Sequence, residues 1–303
     1  MISALPRPPT VIQRLHRTFK SRRLLKGKTV TICIAAISNI PGQIPYLITV
    51  SDTMVSGGII SADSVTIKIE PFHKDWFAMM SADDLTQCTP IIEKAGEYFA
   101  GRANKLGTAR MVFKRAYSQH LVEMRESAAL SGYGLPMKEF LKNGKKKLSE
   151  KMYESIRQRI DKVKAKCDFI VAGFDSLGLP HIFEVSENDE GGVTDHVYDK
   201  PGFCAIGSGK WVAETILYSL GQSMDRSFYE SIFNVCAAKF MAEESTDVGK
   251  TTHLVCKKQG SFMFAHVYGM VEEIRKAWEE RGCPRVPEGI ISTIENVYHP
   301  RCE

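Results

Sequence analysis

Three residue types that together can cleave an acyl bond lie in the N-terminal quarter of this chain. Thr29-Val-Thr-Ile-Cys-Ile-Ala-Ala36 is a threonine-led apolar run, Leu47-Ile-Thr-Val-Ser-Asp52 ends in an aspartate, and Lys68 follows sixteen residues later. A threonine hydroxyl attacks an amide poorly unless a base takes its proton, and a threonine that begins a chain carries such a base in its own α-amine. A lysine ammonium a few ångström away disfavours the protonated amine and draws its pKa toward neutrality. A desolvated lysine in turn needs a carboxylate, which Asp52 can supply. Thr29 and Thr31 compete for the nucleophile; two residues apart, they share one strand face, so pleat direction does not separate them. The plainer alternatives are strand threonines without chemistry, a turn-capping Asp52 and a solvent-facing Lys68.

The elements around these residues read as an antiparallel sheet broken by helices. Residues 29–37 and 46–51 form a hairpin across the turn at Asn39-Ile-Pro-Gly42, and Val65–Glu70 and Trp76–Met80 continue as strands. Thr89-Pro90 predicts a helix with Thr89 as its cap, followed by helical patterns over Arg110–Met124 and Met137–Lys166. Strands resume at 168–174 and His181–Val185. Helical spacing returns over Trp211–Leu220 and Phe228–Glu243, and two strands, Thr252–Cys256 and Ser261–Val267, close the sheet. Val271–Glu279 reads as a charged helix with Trp278 packing back, and no internal repeat is present.

Composition sets bounds on the partners. With 44% hydrophobic and 25% charged residues, the 303-residue chain is ordinary globular material. No apolar window of membrane length and no secretory signal is present, which predicts a soluble cytoplasmic protein without a membrane partner. The formal charge of +5 comes from residues 1–28, which hold eight Lys/Arg and no acid; the remainder has 32 Lys/Arg against 35 Asp/Glu. That balance argues against nucleic acid as a partner. The basic leader reads as a removable or disordered arm, and the Lys142–Lys147 run as a solvated helix face or a docking surface. The eight scattered cysteines show no zinc-ligand spacing and are expected to be reduced and mostly buried. Gly249-Lys-Thr-Thr252 imitates the end of a phosphate-binding loop, but Glu244 stands where that loop needs glycine.

The Asp52-to-Lys68 spacing, the Ser51-Asp-Thr-Met-Val-Ser-Gly-Gly58 turn, and the strands Phe77–Ala82 and Phe169–Asp175 resemble the proteasome β-subunit family of N-terminal nucleophile hydrolases. Phe203-Cys-Ala-Ile-Gly-Ser-Gly209 is similar to that family's Gly-Ser-Gly turn. Thr31-Ile-Cys-Ile-Ala is similar to the start of the bacterial ring peptidase Anbu, a distant relative within the family. The resemblance spans roughly residues 29–260. It implies an α+β fold: a four-layer αββα sandwich over 31–267, with a leader at 1–30, a helical insertion at about 102–160 and a C-terminal extension at 268–303. It further implies a threonine peptidase acting on peptides or unfolded protein, in a homo-oligomeric ring, without metal or organic cofactor and with an ATPase partner left open. The shorter distance to Asp52 favours Thr31 over Thr29 as nucleophile. Ser208 would support the threonine amine, the backbone N–H near Ala82 would bind the oxyanion, and Asp247 would complete the set. Three departures accompany it: Val30, not glycine, precedes Thr31; Met54 stands where arginine is usual; Ala82 replaces a glycine. The alternatives are a catalytically silent proteasome-like scaffold and an amidase of small molecules.

Overall fold

The computed structural model describes residues 31–56, 61–63, 67–82, 84–244, 248–261, 265–266 and 270–280. The leader with Thr29, Asp247, Cys283 and Cys302 lie outside them. The expected hairpin is present as β1 (Ile32–Ser38) and β2 (Tyr46–Asp52), with Cys33 opposite Ser51 and Ser38 opposite Tyr46. Their run is apolar at successive positions, without alternation, because both faces of the sheet are covered and β1 is buried along its whole length.

Two five-stranded sheets make up most of the molecule. The first has the order β10 (Phe203–Gly207), β1, β2, β11 (Thr252–Lys258) and β12 (Ala265–His266). The second runs β5 (Ile69–Pro71), β6 (Trp76–Ala82), β7 (Cys167–Phe174), β8 (Pro180–Glu187) and β9 (Val193–Val197). Every pairing is antiparallel. A short pair, β3 (Met54–Ser56) and β4 (Ser61–Asp63), occupies the stretch expected to be only a turn. β9 went unpredicted because Val193–Val197 is half polar and largely uncovered.

Three apolar clusters follow from the strand period. Cys33, Ala35, Ile37 and Leu47 meet Phe77, Met79, Ile170 and Ile182 between the sheets. The alternate residues Ile32, Ile34 and Val50 pack against α5 (Lys210–Ser219) and α6 (Phe228–Ala242) through Leu217, Ile232 and Val235. On the other sheet, Trp76, Ala78 and Phe169 pack against α1 (Thr89–Phe99) and α2 (Leu106–Arg125) through Ile92, Phe99 and Phe113. The architecture is α+β, with a helical cover on the outer face of each sheet.

Some elements differ from the sequence reading. Thr89 is the first helical residue, not the cap; Cys88 holds the cap position and makes no side-chain capping bond. Lys68 precedes its strand, which begins only at Ile69, while Val65 and Thr66 lie outside the described residues. The helix expected over Met137–Lys166 is two: α3 (Met137–Lys147) and α4 (Glu150–Lys162). The Ser149 hydroxyl accepts from the Met152 N–H and starts the second. These helices share a small core of their own, with Phe140, Ile156 and Ile160 against Ala129 and Leu130. The helix α7 (Met270–Glu280) docks on α6, and Trp278 packs on the outer cluster of the first sheet as expected.

Among the described residues no helix is long and apolar enough to cross a membrane. The six described cysteines are free and buried.

Candidate active site

Thr31 leads into β1, Asp52 ends the neighbouring β2, and Lys68 stands just before β5 in the other sheet. The residues are distant in sequence but are gathered where the two sheets meet at one end. The Thr31 hydroxyl donates to Asp52 Oδ1 at 2.6 Å. Lys68 Nζ donates to the same Oδ1 at 2.7 Å and also contacts Thr31 Oγ1. Asp52 Oδ1 further accepts from the Ile32 N–H at 3.1 Å, and Oδ2 from the Gly249 N–H at 3.1 Å. Thr31 is 2% exposed, Lys68 1% and Asp52 0%.

A buried ion pair contributes little net stability, because desolvation of each partner costs several kcal/mol. Each aliphatic neighbour, by contrast, contributes about 1.5–3 kcal/mol on full burial. The burial of the pair is therefore weak evidence of a stabilising role. The arrangement can do one thing in particular: it holds a hydroxyl oxygen against an ammonium while a carboxylate fixes both.

Ser208, just past the end of β10, attends the Thr31 backbone. Its Oγ accepts from the Thr31 N–H at 3.4 Å and donates to the Thr31 carbonyl at 3.2 Å. The preceding Gly207 pairs with Ile32 and has φ +95°, where a Cβ would come within 2.3 Å of the Thr31 carbonyl oxygen. Only glycine permits that approach.

The sequence-predicted residues thus divide. Thr31, Asp52, Lys68 and Ser208 come together. Ala82 ends β6 opposite Cys167, with its methyl against the outer cluster. β6 approaches β1 nearby, where the Cys33 thiol donates to the Met80 carbonyl at 3.5 Å. Thr29 and Asp247 lie outside the described residues.

Three neighbours were missed by sequence reasoning. The Gly249 N–H reaches Asp52 because β11 pairs Thr252 with Asp52, a register that no local pattern announces. Cys33, on the same face of the chain as Thr31, has its thiol pushed up to about 12 by burial; Lys68 opposes this and Asp52 adds to it. It is therefore a thiol and no rival nucleophile. Ser81 has a buried hydroxyl without a partner among the described residues, one position beyond Met80. Alternation in β6 signals its inward direction, though not its chemistry. Among the described residues no group of three or more His, Cys, Asp or Glu is arranged to hold a metal ion.

No family model and no curated protein matches the sequence. Among solved structures, the Anbu (Gly-1) mutant from Hyphomicrobium sp. strain MC1 matches with a TM-score of 0.53 at 16% identity. The match covers 85% of this chain and 98% of that chain. At this identity the likeness is one of fold.

Proposed function

We propose that this chain is a proteasome-like threonine peptidase that becomes active when residues 1–30 are removed and Thr31 becomes N-terminal. The observation that carries this reading is the buried contact set of Thr31 Oγ1, Asp52 Oδ1 and Lys68 Nζ. The two sheets with their outer helices read as the αββα sandwich of N-terminal nucleophile hydrolases. In that reading the body is 31–267, the helices within about 102–160 are an insertion, and 268–303 is an extension.

In the reaction, Thr31 Oγ attacks a peptide carbonyl carbon and its proton passes to the freed α-amine. Lys68 disfavours protonation of that amine beforehand, so the base is available. Ser208, already bonded to the Thr31 nitrogen, lies on the path of the proton. The oxyanion is met by the backbone N–H near Ala82. The C–N bond breaks, the leaving amine takes the proton from the α-amine, and a threonyl ester remains. Water then attacks the ester, giving its proton to the α-amine; the acid leaves and Thr31 Oγ is reprotonated. By resemblance, copies assemble into a cytoplasmic ring, and substrate reaches the enclosed site as a peptide or unfolded chain.

A second reading, the silent scaffold, is favoured by Val30, since self-processing relatives carry glycine before the threonine. In the uncut chain the Thr31 nitrogen is an amide and cannot act as a base.

An electrophilic peptide, a peptide vinyl sulfone, separates these readings. The expected result is one adduct, located on Thr31 by peptide mass spectrometry and absent from Thr31→Ala. A protein with a free Thr31 amine that takes no adduct would be a scaffold. Turnover of simple amides without labelling by the peptide would indicate an amidase.

A further inference from the structure

A second lysine is sealed inside the molecule. Lys239 of α6 is 0% exposed, and its Nζ reaches the carbonyl oxygens of Gly249 and Lys250 at 2.9 Å and Thr251 at 3.1 Å, with Glu243 Oε1 at 2.5 Å. An ammonium has three N–H donors, so four acceptors share them and the chain ahead of β11 is gathered around one point.

Glu243 is held from its other side by the α7 helix. Arg275 Nη1 donates to Oε2 and Nη2 to Oε1, both at 2.8 Å, a two-pronged pair of the strong kind. Nη2 also donates to the Lys250 carbonyl at 3.1 Å and Thr252 Oγ1 at 3.3 Å. The guanidinium lies 4.0 Å over the Phe240 ring, which also packs on Trp278.

The loop delivers one group to the site: the Gly249 N–H, which occupies Asp52 Oδ2 while Oδ1 serves Thr31, Ile32 and Lys68. Oδ2 is the oxygen that Thr31, Ile32 and Lys68 leave unengaged, so the Gly249 N–H adds a fourth tether that limits rotation of the carboxylate about its terminal torsion.

We infer that Lys239, Glu243 and Arg275 are positioning residues that fix the 249–251 loop and thereby orient the Asp52 carboxylate, with the C-terminal helix α7 as the clamp. The inference rests on the reading of Thr31, Asp52 and Lys68 as a catalytic set. It makes α7, which the resemblance leaves as an appendage beyond the family body, a working part of the site. Anything that lifts α7 would lower activity without touching Thr31, Asp52 or Lys68.

The test is Arg275→Gln in the full chain, with hydrogen exchange by mass spectrometry as the first readout. Arg275 is partly exposed, and the change removes its fork on Glu243 and its contact with the Phe240 ring. Peptides over 248–254 are expected to exchange about tenfold faster than in wild type, with those over α1 and α2 unchanged. On protein purified from its native host, the maximal rate of Thr31 labelling by the peptide vinyl sulfone should fall about tenfold. The half-saturating concentration should hold. Arg275→Lys, which keeps charge but offers no fork, should recover only part of both effects. Unchanged exchange over 248–254 would overturn the inference, as would equal acceleration of every peptide, or faster loop exchange with unaltered labelling. If wild type takes no label, the peptidase reading fails, while the exchange result still decides whether α7 clamps the loop.

Discussion

Lys68 and Lys239 are both closed off from water, yet they are spent differently. Lys68 has two side-chain partners, the carboxylate of Asp52 and the hydroxyl of Thr31. Lys239 has three backbone carbonyls and a glutamate already claimed by Arg275. Backbone carbonyls are not reacting groups, so a cation that gathers them acts by position. A hydroxyl held against an ammonium can still lose its proton and attack. Burial pulls the Lys239 ammonium below the usual lysine range, with Glu243 pulling the other way. Burial is common to the two lysines; the chemistry of their partners is what separates them.

The comparison breaks first at Lys68. Lys68→Met should lower the rate of Thr31 labelling by about 10²–10⁴-fold. It should also cost about 3 kcal/mol of stability, because Asp52 is left buried without its cation. Denaturant unfolding and labelling kinetics on the same protein measure both. A loss of stability with full labelling would make Lys68 structural, like its counterpart. Lys239→Met should show the reverse weighting: a similar stability loss of about 3 kcal/mol from unpaired carbonyls, with labelling reduced only about tenfold. Equal losses of labelling in the two variants would erase the distinction.

The smallest effect concerns a charged group with no link to either lysine. His181 Nδ1 lies 2.7 Å from Asp199 Oδ2 and its Nε2 3.5 Å from Asp175 Oδ2, with the ring stacked on Trp76. Burial opposes its charge, but the two carboxylates outweigh burial and raise its pKa above the ordinary 6.5. A histidine raised in the fold stabilises it fully below the unfolded pKa, and loses that contribution as pH rises through the folded value. Wild type should therefore exceed His181→Gln in stability most below pH 6.5, by thermal unfolding, and the gap should narrow as pH rises. Thr31 labelling should not change. A gap that widens with pH would contradict the assigned sign.

Much of this was legible in the sequence, for identifiable reasons. The β1–β2 hairpin stood out because strands covered on both faces carry unbroken β-branched and apolar runs. Asp52, Lys68 and Ser208 were singled out by resemblance, through the family's sixteen-residue spacing and its Gly-Ser-Gly turn, and the structure brings all three against Thr31. The helix pair α3–α4 was read as one because Leu148-Ser149 is a break marked only by a serine cap. The role of Gly249 was hidden because it depends on a pairing between Thr252 and Asp52, 200 residues apart in sequence. Lys239 gave no signal at all, since a lysine on a helix of mixed apolar and polar residues reads as part of its solvent-facing edge. Asp247, expected from resemblance, lies outside the described residues, so its position in the site is still an expectation.

Intact mass and N-terminal sequencing of the protein purified from its native host would test the central claim most directly. A mature chain beginning at Thr31 is the predicted result, with the threonine amine free beside Ser208 and Lys68. A chain that keeps Val30 attached to Thr31, whether it begins at Met1 or at Thr29, would contradict Thr31 as an N-terminal nucleophile.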